Sequence, residues 1–212
     1  MQNSFIEFMI DSGVLMFGDF ITKSGRKTPY FINAGKYDTG AKLARLGEFY
    51  ADAIAASGEN PDVLFGPAYK GIPICAASAC ALFTKYGIDT AYSFNRKEAK
   101  DHGEGGSIVG YMPRSGDKIA IIEDVTTAGT SIRETAKIFR SLNLSANITS
   151  LFVTIDRMER GKNTLSAFAE LRAEFGINIY AIATVRDIIA HMETAGKDTS
   201  AIDAYLAEFG AQ

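Results

Sequence analysis

The fold is decided by residues 121–131, which read IIEDVTTAGTS. An apolar run at residues 118–122 leads into this stretch and delivers two adjacent carboxylates, Glu123 and Asp124, to a loop of small and hydroxyl-bearing residues. A helical pattern then continues to about residue 142. An apolar strand, a polar loop and a helix in this order are the repeating unit of an α/β sheet.

The same unit recurs on both sides of this stretch. Apolar runs typical of buried strands lie at residues 63–65, 90–95, 148–155 and 177–184, and helical patterns follow up to about residue 86 and over residues 165–175. Continuous apolar strands that alternate with helices predict an α/β fold with a mainly parallel central sheet flanked by helices. Ligands bind such sheets beyond the carboxyl ends of the strands. Function is therefore expected in the loops after Phe65, Asn95, Ile122 and Ile155.

The first sixty residues follow a different pattern. Asn3 or Ser4 can cap a first helix, and short strands at residues 20–22 and 30–32 flank a charged turn. A longer helix is predicted over residues 41–57. Because no repeat, low-complexity tract or linker interrupts the sequence, we expect one domain.

Composition limits the possible partners. The chain has 212 residues, 47% of them hydrophobic, and a net charge of -3, so no overall positive field indicates a nucleic-acid partner. Acidic side chains interrupt residues 5–15, and the apolar run at residues 71–83 is shorter than the roughly 20 residues that cross a bilayer. We therefore expect a cytoplasmic protein with no membrane contact, in which Cys75 and Cys80 are buried, reduced thiols.

The residue types in 121–131 suit a sugar phosphate. Backbone N–H groups at a helix start attract an anion, and Gly129 lets the backbone approach it closely. Carboxylates accept hydrogen bonds only, so Glu123 and Asp124 suit the hydroxyls of a ribose that carries the phosphate. The alternative is an ordinary strand-to-helix turn capped by Thr or Ser. Other phosphate motifs are missing, since Ile72 stands where the lysine of a P-loop belongs and no G-x-G-x-x-G follows a strand.

A second segment, residues 94–107, reads FNRKEAKDHGEGGS. Four basic side chains, counting His102, occur within residues 96–102, and three glycines follow. This composition suits a hinged lid over an anionic group. The alternative is a solvated charged loop.

Residues 121–131 match the phosphoribosyl-pyrophosphate loop of type I phosphoribosyltransferases. Residues 94–107 resemble the catalytic loop of orotate phosphoribosyltransferases, as distinct from the purine enzymes of the same fold. The resemblance continues in residues 23–31 (KSGRKTPYF), 65–73 (FGPAYKGIP) and 156–161 (DRMERG), and it covers most of the chain from about residue 14 to residue 190. It implies the type I phosphoribosyltransferase fold over residues 1–212, with a flexible catalytic loop and a small hood over the base site formed by about residues 1–38 and C-terminal segments.

The resemblance also implies an activity, the transfer of ribose 5-phosphate from phosphoribosyl pyrophosphate (PRPP) to orotate, giving orotidine 5'-monophosphate and pyrophosphate in pyrimidine biosynthesis. The PRPP-binding residues that it implies are Lys23, Tyr69, Lys70, Arg96, Lys97, Lys100, His102, Glu123, Asp124, Val125, Thr126, Thr127, Ala128, Gly129, Thr130 and Ser131. Catalytic roles among these would fall to Lys70, Lys100, His102 and Asp124. The implied orotate contacts are Lys23, Phe31, Ile32, Thr127 and Arg157.

Three positions qualify this carry-over. Arg157 offers a guanidinium fork to the orotate carboxylate, with a surface salt bridge to Glu159 or Asp156 as the alternative. Ile32 replaces the second aromatic of the family's usual Phe-Phe pair. Glu123 stands where many relatives have Asp.

The family further implies a magnesium ion held mainly by PRPP and water, with no direct protein ligand. It implies a homodimer in which the catalytic loop reaches the neighbouring subunit's site. Three rival interpretations remain at this point. One is an enzyme of the same fold acting on another base. Another is a non-catalytic PRPP-sensing regulator that binds nucleic acid, and the last is a flavodoxin-like binding module.

Overall fold

The computed structural model describes residues 1–22, 25–100, 106–125, 129–145, 147–160 and 165–211, without the side chains of residues 99, 100 and 106. Its helices are α1 (Gln2–Asp11), α2 (Gly40–Ser57), α3 (Gly71–Tyr86), α4 (Thr130–Ser141), α5 (Ala167–Phe175), α6 (Val185–Thr194) and α7 (Ser200–Phe209). Its strands are β1 (Leu15–Ile21), β2 (Lys27–Ile32), β3 (Val63–Gly66), β4 (Ala91–Lys100), β5 (Gly106–Gly110), β6 (Lys118–Ile122), β7 (Asn147–Asp156) and β8 (Asn178–Thr184). None of the helices in these ranges is long and apolar enough to cross a membrane.

The main sheet has the strand order β5-β4-β3-β6-β7-β8, and all neighbours are parallel except the edge pair β4–β5. Ile121 and Ile122 of β6 are fully buried on opposite faces of the sheet, since successive residues of a strand alternate in direction. Ile122 packs in a core with residues of α1, α2, α3 and α6, and Ile121 packs with residues of α4 and α5. Helices thus cover both faces, and the predicted α/β fold with a mainly parallel sheet is confirmed.

A separate two-stranded sheet precedes the main one. β1 pairs antiparallel with β2, and β2 packs on α7. Both strands are longer than predicted. In β1, Gly18 and Asp19 interrupt the apolar pattern without ending the strand. The register shifts between Phe17 and Phe20, which absorbs the interruption.

Two local predictions are wrong. Helix α1 begins at Gln2, and neither Asn3 nor Ser4 caps it. The amide of Phe5 already bonds the Met1 carbonyl at 3.0 Å, so Ser4 lies within the first turn and its hydroxyl donates to the same carbonyl at 2.8 Å. Cys80 is exposed rather than buried, because five residues along α3 turn it away from the buried Cys75.

The predicted lid is more regular at its base than expected. β4 does not end near Asn95 but continues to Lys100, whose backbone pairs with Gly106 of the unpredicted strand β5. An antiparallel pair therefore forms both flanks of the segment. Its tip, residues 101–105, lies outside the described residues.

Candidate active site

Three neighbouring strands, β4, β3 and β6, carry predicted site residues at their carboxyl ends. These residues are Tyr69 and Lys70 after β3, Arg96 and Lys97 on the part of β4 beyond its pairing with β3, and Glu123 and Asp124 after β6. The loop after β3 packs directly against the end of β6, since a Cβ atom on Gly71 would lie 2.8 Å from the Ile122 carbonyl oxygen. Glycine at this position therefore lets the basic and acidic loops meet.

Lys70 and Asp124 form the contact between these loops. The Lys70 Nζ donates to Asp124 Oδ2 at 2.9 Å, and the lysine side chain is 65% exposed while the aspartate side chain is 12% exposed. The Asp124 backbone is anchored by β7, because its carbonyl accepts hydrogen bonds from the Thr154 amide at 2.9 Å and from the Thr154 hydroxyl. The lysine end of this pair is exposed to solvent, which screens the attraction. A phosphorylated ligand can therefore draw the lysine away while the carboxylate stays in place.

Glu123 lies deeper in the same strand end. Burial raises the pKa of its carboxyl group to about 7, and the neighbouring Asp124 adds to the rise while a hydrogen bond from the Ser131 hydroxyl opposes it. The Glu123 carbonyl accepts a hydrogen bond from the fully buried Tyr50 hydroxyl. The bond between Glu123 and Ser131 joins the end of β6 to the first turn of α4, on either side of the predicted phosphate loop.

Helix α4 starts directly after Gly129, whose backbone has φ 64. A Cβ atom at this position would lie 2.3 Å from Leu171 Cδ2, so glycine is needed both for the backbone conformation and for the packing of α5 against the loop. The amides of the first helical turn, at Thr130 and Ser131, form the positive end of the helix dipole. Val125 precedes the loop, and Thr126, Thr127 and Ala128 lie outside the described residues.

The base of the lid is tied to the loop after β3. Asn95 Oδ1 accepts a hydrogen bond from the Ala68 amide at 2.9 Å. Lys97 Nζ lies 5.3 Å from the centre of the Tyr69 ring, which is 68% exposed. The structure thus brings together Tyr69, Lys70, Lys97 and Asp124, whereas the side chain of Lys100 and all of His102 lie outside the described residues.

The predicted base site centres on Arg157, which follows β7. The alternative interpretation placed a salt bridge of Arg157 with Glu159 on the surface. The bridge forms, but it is largely buried, since the two side chains are only 14% and 17% exposed. Arg157 Cζ also lies 4.6 Å from the centre of the Tyr30 ring in β2. Burial lowers the pKa of the Arg157 guanidinium, but Tyr30 and Glu159 outweigh that effect and raise it.

Phe31 and Ile32 follow Tyr30 along β2. Phe31 is 37% exposed and stacks on Phe20 of β1, so its ring faces away from the Tyr30–Arg157 contact. Ile32 is partly buried against the main core. Lys23 lies outside the described residues.

A groove of about 910 Å³ lies between the β1–β2 pair and α7, and Tyr205, which contacts Glu159, forms part of its wall. Arg26, one of its charged residues, already lies over the ring of Phe209, 5.2 Å from its centre. We place the site at the strand ends instead, because the acidic and basic side chains converge there. Among the described residues, no group of three His, Cys, Asp or Glu side chains is arranged to hold a metal ion.

The comparisons with known proteins agree with this geometry. The family model for the phosphoribosyl transferase domain matches residues 34–185. That match defines the class as a phosphoribosyltransferase. The orotate phosphoribosyltransferase of Clostridium beijerinckii is 47% identical over 225 residues, covering 100% of this chain and 98% of its own length. The enzyme of the same name from Vibrio parahaemolyticus is 50% identical over 212 residues, covering 99% of this chain and 98% of its own length.

A solved structure gives the same result. The crystal structure of orotate phosphoribosyltransferase from Francisella tularensis superposes with a TM-score of 0.87 and 39% identity, covering 98% of this chain and 100% of that one. The chain belongs to the orotate phosphoribosyltransferase family.

Sequence reasoning gave no role to several side chains that hold the site together. Tyr50 supports the backbone of Glu123, and Tyr30 and Tyr205 both contact Glu159 beside Arg157. Glu159 was visible in the DRMERG motif, but only as an alternative partner for the arginine. Tyr30 lies within the quoted segment 23–31 without a role assigned to it there, while Tyr50 and Tyr205 lie outside the quoted segments. Their contacts are made between distant parts of the chain, so no local pattern could assign those contacts to the site.

Proposed function

We propose that this protein is an enzyme that transfers ribose 5-phosphate from PRPP to orotate, forming orotidine 5'-monophosphate and pyrophosphate in pyrimidine biosynthesis. The observation that carries the proposal is the acidic strand end at Glu123 and Asp124. It stands before the N-terminus of α4 and faces Lys70 at 2.9 Å from the neighbouring loop. The relatives named orotate phosphoribosyltransferase, at about half identity over the full chain, support orotate as the base.

The proposed substrate position follows from charge and donor type. The 5-phosphate would lie against the loop 125–131, where the amides of α4 point to an anion. The ribose hydroxyls would donate to Glu123 and Asp124, and the diphosphate would draw Lys70 away from Asp124. Tyr69, Arg96, Lys97 and the lid residues Lys100 and His102 would close over the diphosphate. Arg157, with Lys23, Thr127 and the chain at Phe31 and Ile32, would receive orotate.

The reaction is a displacement at the anomeric carbon of the ribose. A ring nitrogen of orotate forms a bond to this carbon as the bond to the pyrophosphate oxygen breaks, and the electron pair leaves with pyrophosphate. Positive charge develops on the sugar ring beside Asp124 and Glu123, and negative charge develops on the leaving group beside Lys70. Each well-placed donor contributes on the order of 3 kcal/mol to such a step. Lid closure would exclude water, which would otherwise hydrolyse the substrate.

We propose magnesium as the cofactor, held by the diphosphate and water. The strand-end carboxylates fit this arrangement, because in the proposed complex Glu123 and Asp124 accept hydrogen bonds from the ribose hydroxyls and are not needed as metal ligands. The ion supplies charge neutralisation on the leaving group. Asp124 then needs only to hold the ribose in place.

We also propose a homodimer that shares the lid between subunits. Large apolar side chains are exposed at and just after the end of α3, on β4 and just after β5, and a second copy would cover them. These side chains are Phe83 at 59%, Tyr86 at 43%, Ile88 at 40%, Tyr92 at 43% and Met112 at 48%. Because β4 also carries Arg96 and Lys97, a copy docked there would lie close to the lid. The hood over the base site would be the β1–β2 pair with α7.

We place the protein in the cytoplasm, with no nucleic-acid or membrane partner. The unpaired thiols of Cys75 and Cys80, the latter exposed, suit a reducing compartment. The net charge of -3 supports the absence of a nucleic-acid partner, because the protein has no overall positive field.

The direct test follows orotate consumption with PRPP and magnesium, with and without a chelator. We expect product only when all three are present. Parallel reactions with uracil, adenine and hypoxanthine separate this function from that of a phosphoribosyltransferase for another base. Product from one of those bases at a higher kcat/KM than orotate would reject the proposal.

A further inference from the structure

One carboxylate oxygen accepts hydrogen bonds from side chains in three separate parts of the chain. Glu159 Oε1 accepts hydrogen bonds from Arg157 Nε at 2.8 Å, from the Tyr205 hydroxyl at 2.9 Å and from the Tyr30 hydroxyl at 3.4 Å. Tyr30 comes from β2 and Tyr205 from α7, and their rings meet edge to face at 6.1 Å. We call these four residues the Glu159 cluster.

The Glu159 cluster is largely buried. Tyr30 is 0% exposed and Tyr205 5%, and the Arg157 and Glu159 side chains are mostly covered. Hydrogen bonds to a buried charged group are short and strong, so a carboxylate with several donors is held in one orientation. Glu159 can in turn hold the arginine that it contacts.

The guanidinium of Arg157 is held in two directions and left open in a third. Its face lies on the Tyr30 ring, and its Nε edge points at Glu159. Nη2 lies 2.6 Å from the same Glu159 oxygen and forms an ion pair with it, but it makes no hydrogen bond among the described residues. A buried donor without an acceptor is unfavourable. A ligand oxygen at the remaining edge of the guanidinium would supply the missing acceptor.

We propose that Glu159, supported by Tyr30 and Tyr205, is a positioning residue that aims the remaining edge of Arg157, on the side away from Glu159, at the carboxylate of the base. The inference rests on the proposed function, and it deepens that function by assigning base recognition to residues outside the arginine itself. It also makes the C-terminal helix α7, through Tyr205, part of the base site. Positioning and charge have opposite consequences here, since the negative charge of Glu159 alone would weaken the binding of a second carboxylate.

The experiment compares Glu159→Gln, which keeps an acceptor oxygen, with Glu159→Ala, which removes it. We expect Glu159→Ala to raise the KM for orotate about tenfold while the KM for PRPP stays within about twofold, a difference worth about 1.4 kcal/mol in orotate binding. Glu159→Gln should recover most of the loss. Tyr205→Phe should raise the orotate KM about threefold, in keeping with one lost hydrogen bond.

The matched control is Glu59→Ala. Glu59 also accepts side-chain hydrogen bonds, from Asn178 and Tyr180, but at the amino end of β8, opposite the site. This variant should lose stability without a change in orotate KM. In an Arg157→Ala background, Glu159→Ala should no longer weaken orotate binding measured by calorimetry, because no guanidinium is left to position.

The outcomes separate the two proposals. A wild-type enzyme without orotate-dependent pyrophosphate release would overturn the proposed function and this inference together. An active wild type in which Glu159→Ala and Tyr205→Phe leave the orotate KM unchanged would overturn the inference alone. An orotate KM below the wild-type value in Glu159→Gln would also overturn it, because charge rather than orientation would then dominate. If Glu159→Ala fails to fold, Tyr205→Phe and Glu159→Gln decide the matter.

Discussion

Replacing Glu123 with glutamine should stabilise the protein at alkaline pH and leave its stability unchanged in acid. Burial raises the pKa of this carboxyl group from 4.5 to about 7 in the folded chain. Between these values the folded state keeps a proton that the unfolded state has lost, so the stability linked to this group is fully present below 4.5. It is lost as the pH rises through about 7.

The magnitude follows from the same values. At 1.36 kcal/mol for each tenfold change in proton affinity, the difference between 4.5 and about 7 corresponds to about 3 kcal/mol, lost in full by about pH 8. The glutamine side chain of the Glu123→Gln variant has no charge to desolvate and keeps an acceptor for the Ser131 hydroxyl. The gain in the free energy of unfolding should therefore grow from near zero at pH 4.5 to about 3 kcal/mol at pH 8.

Urea denaturation of both proteins at several pH values between 4.5 and 8 measures this gain. The exposed Glu193 on α6 gives a matched control, since Glu193→Gln removes the same charge without a buried site and should produce no pH-dependent gain. An equal gain at pH 5 and pH 8, or no gain at either, would refute the argument that Glu123 is strained by burial of its charge.

Further predictions concern activity and packing. The KM for PRPP should rise as the pH falls below about 7, because protonated Glu123 loses acceptor capacity for the ribose; a flat profile of KM against pH from 6 to 8 would contradict this. Gly129→Ala should lower the free energy of unfolding by about 1–3 kcal/mol in a denaturant titration, because φ is 64 and the new methyl would meet Leu171, whereas Gly196→Ala, also at positive φ but in open space, should cost less. Lys100→Ala should reduce kcat at least about 100-fold without changing the circular dichroism spectrum, and a near-normal steady-state rate would remove the lid assignment. Mixing Lys100→Ala with Arg157→Ala should restore activity in heterodimers if the lid crosses between subunits, and heterodimers that form without activity would argue against sharing.

The main sheet and the helices on its faces could be predicted because their signals are local. The apolar run of β6 and the helical spacing of residues 41–57 require burial whatever the rest of the chain does. β5 could not be predicted, because Gly106 to Gly110 is too short and glycine-rich to show a strand pattern and gains its structure by pairing with β4. The extension of β4 to Lys100 was missed for the same reason, since charged residues carry no strand signal.

The candidate site divides in the same way. The motif residues Lys70, Glu123 and Asp124 could be named from their neighbours in the sequence, and the structure places them on adjacent loops. The supporting contacts could not be named, because Tyr50 lies 73 residues from Glu123 and Tyr30 lies 129 residues from Glu159. Side chains that act through tertiary contacts leave no pattern along the chain.

A crystal structure of the protein with PRPP and magnesium tests the central claim most directly. The sugar phosphate should lie at the carboxyl end of β6, with its 5-phosphate within hydrogen-bonding distance of the amides at residues 129–131. Its ribose hydroxyls should contact Asp124 and Glu123, and Lys70 should have left Asp124 for the diphosphate. Electron density for the sugar phosphate in the groove beside α7, with the loop before α4 unoccupied, would contradict the account.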